Sequence, residues 1–351
     1  MSKDDLVKFQ TITFATALAI MVVYILVVGG AIIRPIIMAV IAVYILLGAT
    51  DALSKLPIFN KAPMWVHRFA VWFLFATGIT FLSVMISGNI EQLIAKLPEY
   101  QKTILELVNR GFAMIGLEEF QNGDEIQDWV TSKIRITDVA STALYSLRTV
   151  GTTVFIIVLY ASFLMSERTG FAKKVTRAFR SDEKAEQVTS IFEQVNGQIR
   201  RYLAMKTLIN IMLGLTSYIL LRILGIDFAF FWALLIALLN YIPYVGSMIG
   251  VAFPVMLTLM QFGSIWMTAV AAVVLTTAQI FFGNILEPRL IGNSVNMSPF
   301  IVLVALTFWY KIWGVQGAIL AVPMTSMLMI IFASIGPTRW ISILLSNKGQ
   351  V

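Results

Sequence analysis

The chain has no cysteine, one histidine (His67) and few charges, with 13% of its 351 residues being Asp, Glu, Lys or Arg. Without cysteine there is no disulfide frame, no thiolate nucleophile and no cysteine-ligated metal. No glycine-rich loop ending in Lys-Ser or Lys-Thr occurs, which argues against ATP-driven pumping by this chain. The HExxH and GxSxG patterns are missing too. An intramembrane hydrolase would need a nucleophile–base pair or two buried aspartates. Asp51 and Asp227 instead lie at the ends of apolar runs, on opposite faces by the topology below. His67 stands beside Arg68 in a basic loop and reads as interfacial. The sequence therefore points to no enzyme, no cofactor and no metal.

What it has in abundance is apolar surface: 58% of the residues are hydrophobic and the mean hydropathy is +0.84. A soluble domain sits near half apolar and a quarter charged, so this balance belongs in a bilayer. Spans of about 20 apolar residues are expected for crossing helices. Residues 12–33, 69–86, 150–165 and 265–286 meet that, and 35–49 and 207–221 are shorter but continuous. The first run is too long for a signal peptide and lacks a small-residue cleavage site, so it reads as a retained span. The formal net charge of +7 is explained by basic loops rather than by nucleic acid.

Charge asymmetry orients the spans. The segment 51–68 carries a net +2, residues 91–148 have nine acids against six bases, and residues 167–206 have nine bases against five acids. Lysine and arginine excess marks the cytoplasmic side. Both termini are thus expected inside, with 88–148 outside. The organisation reads as membrane helices over 1–87, an extracytoplasmic helical cap over 88–148, a transmembrane helix over 149–165, and basic amphipathic helices over 166–206. A transport core follows over 207–336, then a cytoplasmic tail over 337–351. In the cap, "IEQLIAKLPEYQKTILELVNRGF" has helical periodicity on both sides of an expected break at Pro98, with a turn near "QNGDE". Val188, Ile191, Phe192, Val195 and Ile199 form one stripe of the inner segment.

No charge occurs between Asp227 and Glu287. Within this stretch, residues 228–260 are too long for one straight span and short for two. Each arm of about 15 residues rises only about 22 Å, against a hydrocarbon core of about 30 Å. A re-entrant or tilted hairpin with its tip at "NYIPYVG" fits. Residues 299–332 form a second such stretch, broken at "KIWGVQG". A helix plus hairpin entering from outside, followed by one entering from inside, is an inverted pair. Many secondary transporters build a midplane site this way.

Asn240, Pro243, Tyr244 and Gly246 form the first break: proline removes a donor, glycine permits close approach, and the freed backbone groups can hold a polar solute. The alternative is a kinked helix packing through Gly246 and Gly250. Gly314, Gly317 and Pro323 form the second break. Lys311, among Phe308, Trp309, Tyr310 and Trp313, reads as a lysine snorkelling to the headgroups. In "NILEPRLIGNS", Asn284, Glu287, Pro288 and Arg289 close the longest uncharged stretch. Pro288 and one charge would suffice to mark an interface, whereas a carboxylate beside a guanidinium can also gate a cavity or take a coupling cation or proton.

The segments "YLAMKTLINIMLGL", "IDFAFFWALLIALLNYIPYVGSMIG", "FGNILEPRLIG" and "GVQGAILAVPM", with the earlier "KLPEYQ", resemble the autoinducer-2 exporter family of bacterial inner-membrane proteins. The match is strong over 202–325 and topological before that. The resemblance implies eight-helix subunits assembled as a homopentamer, export of small molecules, and an elevator-like movement of the hairpin-bearing part. The shared motif residues here are Asn240, Pro243, Gly246, Asn284, Glu287, Pro288, Gly292, Gly314, Gly317 and Pro323. Lys311 departs from the pattern. Some relatives are described as sodium or lithium/proton antiporters.

The expectation is an all-α polytopic membrane protein with about eight transmembrane helices, two broken or re-entrant hairpins and a small cap. It would be a secondary transporter exporting a small polar metabolite or signalling molecule, with lipid and further copies of itself as partners. The alternatives are a monovalent cation/proton antiporter using Glu287, and a passive channel or scaffold.

Overall fold

The computed structural model describes residues 3–54, 63–114, 155–165, 167, 174, 182–291, 296–347 and 349. It is all-α: among the described residues the sole β feature is an isolated bridge between Met297 and Ser346. Among the described residues, seven segments are long and apolar enough to cross a membrane, and two shorter apolar helices, Phe155–Met165 and Ala229–Leu239, accompany them.

Helix α1 (Lys3–Val28) and helix α2 (Gly30–Ser54) divide at Gly29. The sequence separated these runs around Arg34 and Pro35, yet Pro35 lies inside α2. The kink falls at Gly29 because a Cβ there would stand 2.7 Å from the Ile25 carbonyl oxygen, a spacing that only glycine allows.

Helix α3 (Met64–Met114) runs 51 residues without interruption, about 76 Å at 1.5 Å per residue. The expected break at Pro98 is therefore corrected: the proline sits inside the helix. Losing one backbone donor removes one bond, and the apolar register continues through Leu97 to Tyr100, which is buried. The first part of the expected cap is thus an extension of α3. Its remainder, with "QNGDE", lies outside the described residues.

After α4 (Phe155–Met165) comes α5 (Asp182–Ile223), 42 residues long. The amphipathic inner segment and the span over 207–221 are one helix, and the division at 206 falls inside it. Ile199, Tyr202, Lys206, Asn210, Leu213, Ser217 and Leu221 are all buried, at the three- and four-residue spacing that defines one face. Then follow α6 (Ala229–Leu239), α7 (Val245–Phe262), α8 (Ile265–Ile280), a π-helical turn (Phe281–Leu286) and the short α9 (Glu287–Ile291). The last elements are α10 (Pro299–Ser334) and, beyond a 3-10 turn at Gly336–Thr338, α11 (Arg339–Leu345).

These elements form two compact units. One comprises residues 44–155 and 197–295, the other residues 1–43, 156–196 and 296–351.

In the first unit α6 and α7 fold back on each other. Gly250 lets the Ile236 backbone approach, a Cβ there standing 3.3 Å from the Ile236 Cα. Gly214 on α5 gives α6 similar access at Ala237, 3.0 Å away. The α7–α8 corner has Gly263 at φ 57° and Ser264 as N-cap, its side chain accepting from the Met267 N–H. At the same end, Asp227 Oδ2 accepts from Lys96 Nζ (2.6 Å) and from the Tyr100 hydroxyl (2.8 Å). The Asp227 N–H donates to Gln261 Oε1 (2.9 Å), and Gln261 Nε2 donates to the Gly225 carbonyl (2.9 Å). The Asp227 carboxylate thereby ties α3 to the turn before α6, and the backbone of that turn is tied by Gln261 to the end of α7. The Lys96 and Asp227 side chains are 44% and 28% exposed, so solvent screens the pair. Asp227→Ala is expected to destabilise the protein by about 1–2 kcal/mol, at the low end for bonds to a charged group. A lowered thermal unfolding midpoint in detergent, absent from Lys102→Ala, is the check.

In the second unit α10 reverses at Gly314, whose φ 63° and ψ −142° are non-helical. Trp309 Nε1 donates to Thr325 Oγ1 at 3.0 Å. Sixteen residues of straight helix would hold those groups about 24 Å apart, so the bond itself reports the reversal. The break expected at "KIWGVQG" is present. Trp313 Nε1 donates to the Leu26 carbonyl (2.9 Å), an acceptor close to the Gly29 kink.

Candidate functional site

The first unit contains a polar column in a largely apolar interior. Its lowest step is an ion pair: Lys206 Nζ donates to both carboxylate oxygens of Glu287, each at 2.7 Å. The Lys206 side chain is 3% exposed and that of Glu287 26%. One residue further along α5, Thr207 Oγ1 and the Tyr241 hydroxyl share a hydrogen bond of 2.8 Å. One turn above Lys206, Asn210 Oδ1 accepts from Asn240 Nδ2 at 2.8 Å, and both residues are buried. A single face of α5 thus meets the α6–α7 tip and the start of α9.

The tip is strained. Tyr244 has φ 60° and ψ −57°, and the Val245 N–H donates to the Pro243 carbonyl at 2.6 Å. This is a γ-turn of the rare, unfavourable hand, occupied by a residue with a side chain. Below it, a Cβ on Gly246 would lie 1.7 Å from the Leu239 carbonyl oxygen. The chain enters α7 so close to the end of α6 that no side chain fits between them.

The π-helical turn precedes Glu287, whose N–H reaches back five residues to the Phe282 carbonyl. Such turns are rare and collect at functional sites.

Among the residues singled out from sequence, Asn240 and Glu287 join this column, and Gly246 lies at the tip beside it. Pro243 and Tyr244 shape its tip, Tyr244 with its side chain exposed. Asn284, Pro288 and Arg289 are exposed. Glu287 does not pair with Arg289, contrary to the expected gate: residues two apart on a helix point away from each other. Gly292 lies outside the described residues. Gly314, Gly317 and Pro323 build the reversal of α10 in the other unit, where Gly317 and Pro323 are buried and Lys311 is exposed. Asp51 is paired with Arg200.

Sequence reading missed Lys206, Thr207 and Asn210, although the tyrosine hydroxyls of the tip, Tyr241 among them, were legible beside Asn240. Lys206 had been counted with a basic cytoplasmic segment, although it falls on the apolar stripe continuing Ile199 and Tyr202. A charge in phase with a buried stripe was the available signal.

Long apolar helices, together with a buried ion pair and a strained, broken hairpin, mark a polytopic α-helical membrane protein of the transporter class. The family model described as "AI-2E family transporter" matches residues 14–335, and the chain belongs to that family. It is 31% identical to a Borreliella burgdorferi protein over 55% of this chain and 53% of the other. It is 25% identical to YhhT of Escherichia coli over 71% and 70%, and 25% identical to AI-2 transport protein TqsA of the same organism over 78% of each. The first two are assigned to transport only provisionally by name. The match thus spans about half the length of the Borreliella protein.

Proposed function

We propose that this chain is a secondary transporter that exports a small polar solute across the bacterial inner membrane, with both termini cytoplasmic. The observation that carries this reading is the Lys206–Glu287 pair, a fully desolvated ammonium held by a carboxylate that water still reaches. Ion pairs of this kind sit in membranes where a route passes or a state changes. Opening the pair and tilting the α6–α7 tip would expose Asn210, Asn240, Thr207 and Tyr241 to a solute. These are neutral donors and acceptors suited to a hydroxylated molecule such as autoinducer-2, the cargo named for the relative TqsA. Lipid covers the exposed apolar face of α1, together with further copies of the chain if the pentamer implied by resemblance forms.

The second reading is a monovalent cation/proton antiporter working through Glu287. The Lys206 ammonium already occupies the place a sodium or lithium ion would take, which favours the first reading. Purified protein in liposomes separates the two. Saturable flux of a small polar solute, without proton movement on imposing a sodium or lithium gradient, is expected. Cation-driven proton movement abolished by Glu287→Gln would establish the antiporter. Flux that does not saturate would mean a channel, and no flux under any gradient a scaffold.

A further inference from the structure

Gln279 takes no part in the contacts described so far, yet it is the most anomalous polar group in α8. The residue is 8% exposed, and neither Nε2 nor Oε1 has a hydrogen-bond partner among the described residues. Buried amides are nearly always bonded, and one left open on both atoms in lipid carries a large desolvation penalty. Replacing it by an apolar side chain would remove that penalty, so its presence calls for something that meets it.

The π-helical turn shows what that is. Gln279 and Glu287 are eight residues apart, and eight residues of α-helix rotate about 800°, leaving them about 80° apart around the axis. A π turn accommodates one extra residue and so takes back about 100°. Gln279 therefore points within about 20° of Glu287, about 11 Å along the same face. Glu287 meets Lys206 on α5, and the α5 residue one turn above Lys206 is Asn210. The antiparallel course of α7 and α8 about Gly263 and Ser264 also sets Gln279 at about the level of Met248, two residues from Gly246 beneath the hairpin tip. These relations set the open amide on the face of α8 that leads to Glu287, near the depth of the hairpin tip.

We propose that Gln279 is a solute-binding residue that determines specificity, its amide donating to and accepting from an uncharged hydroxylated solute on the column. This rests on the transporter reading and adds to it the group that recognises the cargo. An amide offers a donor and an acceptor without charge, so it distinguishes a polyol from an ion or an apolar molecule.

The test uses the full chain in liposomes, with radiolabelled glycerol and D-ribose as probes and acetate as the charged control. Gln279→Leu is expected to raise the KM of probe flux about tenfold, the loss of one hydrogen bond to the bound solute, with kcat changed less. The same variant is expected to raise the thermal midpoint, because an unpaired amide is removed from an apolar site. A residue that merely held the fold would lower it. Gln279→Asn, with a shorter amide, should recover part of the affinity. Since the natural chain has no cysteine, Gln279→Cys also provides a readout that needs no transport. Its thiol should react with a charged, membrane-impermeant thiosulfonate in permeabilised liposomes, and ribose should slow the reaction. Val273→Cys, at an exposed apolar position, should stay unreactive. Unchanged KM in Gln279→Leu with flux intact would overturn the proposal and leave the transporter reading standing. An absence of flux together with a reactive, ribose-protected thiol would support the binding role while removing the transporter reading. A thiol no more reactive than that of Val273→Cys would overturn the role of Gln279 in either case.

Discussion

Glu287→Ala is expected to destabilise this protein more than Lys206→Met, although both break the same ion pair. The two side chains differ in what surrounds them: Lys206 is 3% exposed and Glu287 26%. Removing the carboxylate strands an ammonium where water does not reach, a loss of about 3–5 kcal/mol for an uncompensated buried charge. Removing the ammonium leaves a carboxylate that water can still solvate, so the loss is nearer to about 1–3 kcal/mol. Against a total stability of about 5–15 kcal/mol the first is close to disabling. The double variant Lys206→Met with Glu287→Gln should recover most of the difference, since no charge is then left alone. Thermal unfolding in detergent gives the stabilities, and on the proposed transport cycle liposome flux should fall at least tenfold in both single variants, because each removes one of the two charges whose pairing and release would cycle the site. Equal destabilisation by the two single changes would show that the lysine is hydrated, contrary to the geometry.

The second large effect concerns glycine. At Gly246 a Cβ would stand 1.7 Å from the Leu239 carbonyl oxygen and 2.6 Å from its carbon; at Gly317 the corresponding atoms of Trp309 lie at 1.9 and 2.6 Å. The obstacle in both cases is backbone, which cannot rotate aside as a side chain can. Gly246→Ala and Gly317→Ala must therefore move one helix arm against the other, at about 3 kcal/mol or more, the upper end for overpacking. Gly88→Ala, where nothing lies within 4 Å, should instead be stabilising by roughly 0.5–1 kcal/mol through helix propensity. Yield of monodisperse protein and its thermal midpoint check all three.

These two sets of residues mark what the sequence revealed and what it concealed. Composition and apolar run length were enough for an all-α membrane protein, and Pro243 with Gly246, and Gly314 with Gly317, located both reversals. Such signals are local: a proline or glycine acts within one turn of itself. Pro98 misled because its effect on a helix is one lost bond, which the packing around Tyr100 outweighs. The identity of Glu287's partner was hidden because Lys206 lies 81 positions earlier, and only the packing of α5 brings them together. Arg289 was the neighbour in sequence and the wrong choice in space. Gln279 was legible as a polar residue in an apolar helix, but its lack of partners is a property of the folded chain alone.

The reversal of α10 rests on a single joint of particular handedness. At φ 63° and ψ −142°, Gly314 adopts nearly the mirror image of polyproline II, about −75° and +145°. Open space surrounds it, so what bars an ordinary residue is chirality rather than room. The natural chain meets this demand with its one achiral building block, and a D-alanine introduced by semisynthesis would suit the backbone there better than L-alanine. Random mutagenesis, which samples only L-residues, would thus report this position as immutable despite its empty surroundings.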